Sequence, residues 1–89
     1  MPERTLYIRN KLGLHARASA RFVSTASRFG CEIKLSRGSI EVNGKSIMGI
    51  MMLAAAKGTE LMVIAEGEDA EKALDALEDL VNGRFGEAE

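Results

Sequence analysis

Residues 5–10, TLYIRN, set Leu6 and Ile8 against Tyr7 and Arg9. That period of two predicts a half-buried strand. Gly13 punctuates the chain after it. From 16 to 29 the period lengthens: Ala16, Ala20, Phe22, Val23, Ala26 and Phe29 gather on one helical side, and Arg17, Arg21, Ser24 and Arg28 on another. Gly30 stands where a helix C-terminus favours glycine. CEIKLS, 31–36, alternates again with Cys31, Ile33 and Leu35 inward, and SIEVNG, 39–44, does so through Ile40 and Val42. The Arg37-Gly38 step between them suits a tight hairpin. Residues 46–53 are apolar without alternation, which predicts a short helix capped by Ser46, with Gly49 weakening its interior. Lys57-Gly58 ends that element, and TELMVIAEG, 59–67, reads as a nearly continuous apolar strand. Beyond it Ala70, Ala73, Leu74, Leu77, Leu80 and Val81 share one helical face, with Glu68, Asp69 and Glu71 placed at the positive end of the helix. Gly83 stops that helix, and 85–89 is expected to be a frayed tail.

The resulting order, β-α-β-β-α-β-α, predicts an α+β fold: a mostly antiparallel sheet with helices covering one face. At 89 residues, with no linker, repeat or low-complexity segment, residues 1–89 are expected to form one domain. A single cysteine excludes an internal disulfide, and one cysteine beside one histidine cannot build a zinc cluster. No metal site is therefore expected, and a reducing, cytoplasmic setting is. No charged segment followed by an apolar run opens the chain, so no secretory signal is expected. The longest uncharged stretch, 46–56, has 11 residues. A bilayer requires about 20, so membrane insertion is not expected.

Charge adds a question. Residues 1–45 carry nine Lys/Arg against three Glu, and residues 46–89 carry three against ten Asp/Glu. Either the split in sequence mixes in space, or a basic face surrounds the histidine and meets an acidic partner or a phosphate.

That histidine, His15 in KLGLHARASA, is the only one in the chain. It can be a satisfied core residue, a proton carrier or a nucleophile. It stands just ahead of a helix N-terminus, where unpaired N–H groups and the macrodipole stabilise an anion. Arg17 is within reach of the same point and offers a planar fork of donors suited to phosphate oxygens. A neutral imidazole is nucleophilic at cellular pH. Such a site can take a phosphoryl group on nitrogen. The element order brings no Ser/His/Asp set obviously together, and the chain shows no metal cluster and no GxxxxGK[ST] loop, so no group is expected to activate water or hold a nucleotide. A phosphoryl group taken here would be passed on. Read alone, a lone histidine beside a turn is still more often a surface or satisfied residue.

NKLGLHARASA resembles the active-site segment of HPr, the histidine-containing phosphocarrier family of the phosphoenolpyruvate-dependent phosphotransferase system. GKSIMGIMMLAAAKG resembles the regulatory-serine segment of the same family, and the spacing and element order agree over essentially the whole chain. HARASA and the RFGE ending are most similar to proteobacterial members, including those of nitrogen-type branches. The resemblance implies an open-faced β-sandwich, a four-stranded sheet under three helices. It implies a phosphoryl carrier without a cofactor, rather than a free-standing enzyme, acting as a monomer. His15 would be phosphorylated on Nδ1 by enzyme I and discharged to an EIIA-type protein, with Arg17 orienting the phosphate. Ser46 would be the serine that an HPr kinase/phosphorylase modifies in some bacteria. Arg17, Ala20, Arg21, Ile47, Met48 and Met51 would form the partner surface. A regulatory docking module that relays no phosphate is the alternative.

Two positions depart from the family pattern. Ala18 stands where proline is usual, one residue after the arginine, and Leu12 where a small polar residue is common. Alanine keeps the helix while giving up the preset φ of proline. Several residues also have plainer readings. Ser46 serves as an N-cap, the methionines at 48, 51 and 52 as core filler with some facing out, and Arg21 and Arg28 as solvated charges. Nucleic-acid binding by the arginine face is disfavoured, because the chain is not basic overall and has few aromatics.

Overall fold

A computed structural model describes residues 2–89. Strands β1 (Glu3–Tyr7), β2 (Glu32–Arg37), β3 (Ile40–Asn43) and β4 (Glu60–Glu66) alternate with helices α1 (Ala16–Ala26), α2 (Ile47–Met51) and α3 (Ala70–Asn82), and a 3-10 turn (Arg84–Gly86) follows. The sheet runs β1-β4-β2-β3 with every pairing antiparallel. This is the α+β arrangement expected from the sequence.

Alternation decides which sheet face is covered. Leu6 pairs with Leu61, Leu35 with Val63 and Ile33 with Ala65, and all six are buried. Helix residues Phe22, Ala26, Leu74, Leu77 and Val81 close over them. Fully burying side chains of this kind contributes roughly 1.5–3 kcal/mol each, which makes this layer the main source of stability. The other face stays open, with Thr5, Tyr7 and Lys34 at the surface. Arg4 lies on the inward register opposite Val63 at the sheet edge. Its guanidinium is satisfied there by Glu71, Asp75 and Glu78 of α3 at 3.2, 2.6 and 3.1 Å. The two halves of the chain, opposite in charge, therefore mix in space.

Four expectations need correction. Helix α1 ends at Ala26, short of Phe29, because Arg28 N–H bonds Thr25 O and Phe29 N–H bonds Ala26 O, tightening the chain into a turn. The apolar period continues through that turn, so Phe29 still packs against the core while Ala16 is exposed. Gly30 is not the cap. The turn is instead tied to α3, where Asp69 accepts from Gly30 N and Cys31 N at 2.9 and 3.0 Å. Ile40 is exposed, since β3 is the outer strand and the helical cover does not reach it. Finally, the tail expected to fray from 85 onward packs back: Phe85 is buried and Lys11 N–H bonds Glu89 O at 3.0 Å.

Candidate functional site

The loop between β1 and α1 carries the histidine, and Gly13 sets its path. Gly13 has φ +67°, and a Cβ there would lie 2.4 Å from Ala55 O. Only glycine fits so close a backbone approach at positive φ. The next residue seals the contact, with Leu14 N–H donating to Ala55 O at 2.9 Å while the Leu14 side chain is buried. The chain then turns extended at His15 (φ −74°, ψ 179°) and starts α1 at Ala16. His15 holds the N-cap position, yet its side chain makes no capping hydrogen bond. The N–H groups of the first helical turn, which have no intrahelical acceptor in any helix, are thus left without a side-chain cap as well.

His15, Arg17, Lys11 and Leu12 line a shallow depression whose other wall is formed by Glu87, Ala88 and Glu89. The structure brings His15 and Arg17 to one place and adds a third group. Glu87 Oε2 lies 2.6 Å from His15 Nε2. Its other oxygen accepts from Asn10 Nδ2 at 3.0 Å, and Asn10 is itself fully buried. Burial raises the Glu87 carboxyl pKa, but hydrogen bonds from Asn10 and His15 and the charges of His15 and Arg17 outweigh it, holding the net value below the ordinary range. Leu12 is 67% exposed at the rim of the depression.

Glu87 is not among the site residues expected from the sequence. It lies 72 residues from His15 in a short polar tail with no periodic signal. The one clue was Phe85, an apolar residue beyond the helix-ending Gly83, which marks a segment that docks.

The remaining candidates sit elsewhere. Ser46 caps α2, its Oγ accepting from Gly49 N at 3.1 Å. Helix α2 packs against α1 and shows Ile47, Met48 and Met51 to the surface, with Met48 78% exposed. Ala20 is half-buried. Arg21 donates to Phe85 O, so it anchors the tail rather than standing free as a solvated charge. Ala18, in the position where the family favours proline, is buried in the core. Among the described residues no cluster of three or more His, Cys, Asp or Glu could hold a metal ion. No helix among them is long and apolar enough to cross a membrane.

Fold and site together define a class: a small α+β protein that presents a single half-exposed histidine at a helix start. Comparison with known proteins narrows it. The family described as PTS HPr component phosphorylation site matches residues 2–83. The chain is 54% identical over 89 residues to the phosphocarrier protein HPr of Neisseria meningitidis serogroup A, with both chains covered in full. It is 52% identical over 90 residues to the phosphocarrier protein HPr of Pseudomonas aeruginosa, again with full coverage of both. The crystal structure of HPr-C-His from Thermoanaerobacter tengcongensis superposes with a TM-score of 0.95 at 48% identity, covering 100% of both chains. That of a phosphocarrier protein HPr from Bacillus anthracis gives 0.86 at 42% identity, covering 90% of this chain and 95% of the other. The chain belongs to the HPr family of the phosphotransferase system and is a phosphoryl carrier.

Proposed function

We propose that His15 is the residue that carries the phosphoryl group, receiving it on Nδ1 from enzyme I and giving it to an EIIA-type protein in the cytoplasm. The observation that carries this reading is the N-cap geometry. The His15 ring is 29% exposed, takes no part in capping, and stands beside the unpaired N–H groups of α1 and the Arg17 guanidinium. Those groups neutralise a dianionic phosphate without activating water. Arg17 orients the transferred group. Exposed Ile47, Met48 and Met51, on the helix packed against α1, supply an apolar docking surface. Their plasticity suits a carrier that meets two partners in turn. Ser46 is a regulatory site where the host has an HPr kinase/phosphorylase: a phosphate there brings roughly −2 charge to the edge of that surface and repels an acidic partner.

With phosphoenolpyruvate and enzyme I, the chain should gain one acid-labile, base-stable phosphate, and His15→Ala should gain none. Labelling of His15→Ala equal to wild type would overturn the assignment. Unchanged partner binding by a wild-type chain that takes no label would favour the docking-module reading instead.

A further inference from the structure

We propose that Glu87 is a positioning residue for phosphoryl transfer: clamped by Asn10, its carboxylate holds the proton on His15 Nε2 and so presents the lone pair of Nδ1. The proposal rests on His15 as phosphoacceptor.

The chemistry follows from the contact. An ionised carboxylate only accepts hydrogen bonds, and a neutral imidazole has one N–H and one lone pair. With Glu87 Oε2 2.6 Å from Nε2, that nitrogen is the donor and Nδ1 keeps the lone pair. The carboxylate stays ionised because Asn10, His15 and Arg17 together outweigh the effect of burial. Asn10 then couples the carboxylate to the histidine loop, since its Nδ2 donates to Glu87 Oε1 at 3.0 Å and to Gly13 O at 2.8 Å.

The tail is bent to make this contact. Arg84, Phe85 and Gly86 all have positive φ, at 56°, 54° and 78°. For the two that are not glycine, this left-handed conformation is strained. Burial of Phe85, the Arg21 hydrogen bond to Phe85 O, and the Lys11 to Glu89 backbone bond hold the segment against that strain. What the bend delivers is Glu87, side chain 14% exposed, against the ring.

Transfer through such a ring moves no proton. The Nδ1 lone pair attacks phosphorus, and the bond from phosphorus to the donor breaks, its electron pair leaving with the donor. Nε2 keeps its hydrogen, and the positive charge that develops on the ring faces the Glu87 carboxylate. In discharge a nucleophile of the acceptor protein bonds phosphorus as the N–P bond breaks, and the electrons of that bond return to Nδ1.

Two measurements test this on the full chain: solvent exchange of the His15 Nε2 proton by nitrogen-15-edited NMR, and steady-state transfer from enzyme I. Glu87→Ala should exchange that proton at least tenfold faster and lower kcat about tenfold, with KM unchanged, as loss of an orienting partner typically does. Glu87→Gln keeps one accepting oxygen for Nε2 but sets an NH2 against the Asn10 Nδ2 donor and carries no charge, so it should recover the slow exchange in part and kcat less. Three results would overturn the proposal: exchange and kcat in Glu87→Ala equal to wild type, a wild-type ring protonated on Nδ1, or a rise in KM alone, which would make Glu87 a docking residue. The ring measurement needs no phosphate. A wild-type chain that takes no label would overturn the role of His15 while leaving the Glu87 contact standing.

Discussion

His15 and Ser46 occupy the same local position, the residue before a helix, and the fold uses them in opposite ways. Ser46 spends its side chain on structure, its Oγ accepting from Gly49 N. His15 leaves the capping role unfilled and turns its ring to a carboxylate brought from the far end of the chain. An N-cap satisfied by its own side chain explains itself through stability. An N-cap that leaves the first turn's N–H groups open makes a seat for an anion. A residue type able to carry phosphate is therefore weaker evidence of function than a position where the fold declines to use that residue for itself.

Substitutions at and around the two caps should separate their roles. The largest effect after removal of the histidine itself is expected for Arg17→Ala, which withdraws a charged donor from the transferring group. The transfer rate should fall on the order of a hundredfold, read in an enzyme I assay, with the thermal midpoint unchanged. Gly13→Ala comes next and acts through the loop. Forcing a Cβ to within 2.4 Å of Ala55 O at φ +67° should cost about 2–3 kcal/mol in urea unfolding and slow transfer with it. Ser46→Ala should lose about 1 kcal/mol by the same unfolding measurement and leave phosphoryl transfer to His15 at the wild-type rate. Equal loss of transfer in the serine and arginine variants would erase the contrast.

The smallest effect concerns acid stability. Hydrogen bonds from Gly30 N–H, then from Cys31, hold the Asp69 carboxyl below its ordinary value, with burial opposing them. A carboxyl depressed in the folded state contributes stability that is complete above its unfolded pKa of about 3.9 and lost as pH falls through the folded value. Asp69→Asn should flatten this acid limb of the stability profile and leave the profile above pH 6 parallel to wild type.

How much of this was legible in sequence depended on the range of the interaction. β2 showed itself by alternation because Ile33 and Leu35 each answer to a single covered face. The face of α3 was likewise legible through Ala73, Leu74 and Leu77. The end of α1 was not, because Phe29 keeps the helical apolar period while its backbone already turns. Ile40 misled for a related reason: alternation reports which face a side chain takes, but not how far the helical cover extends. Of the site, His15 and Arg17 are neighbours in sequence and could be read together. Glu87 and Asn10 meet across 77 residues, joined by a bend that depends on Phe85 finding the core. No local pattern encodes such a contact.

Relay of a phosphoryl group through His15 is read out by single-turnover discharge. The phosphorylated chain, freed of enzyme I and phosphoenolpyruvate, is mixed with an EIIA-type acceptor and the label is followed. The label should move to the acceptor in equal amount, with little released as inorganic phosphate. Loss of label to water at the same rate with and without the acceptor would contradict it.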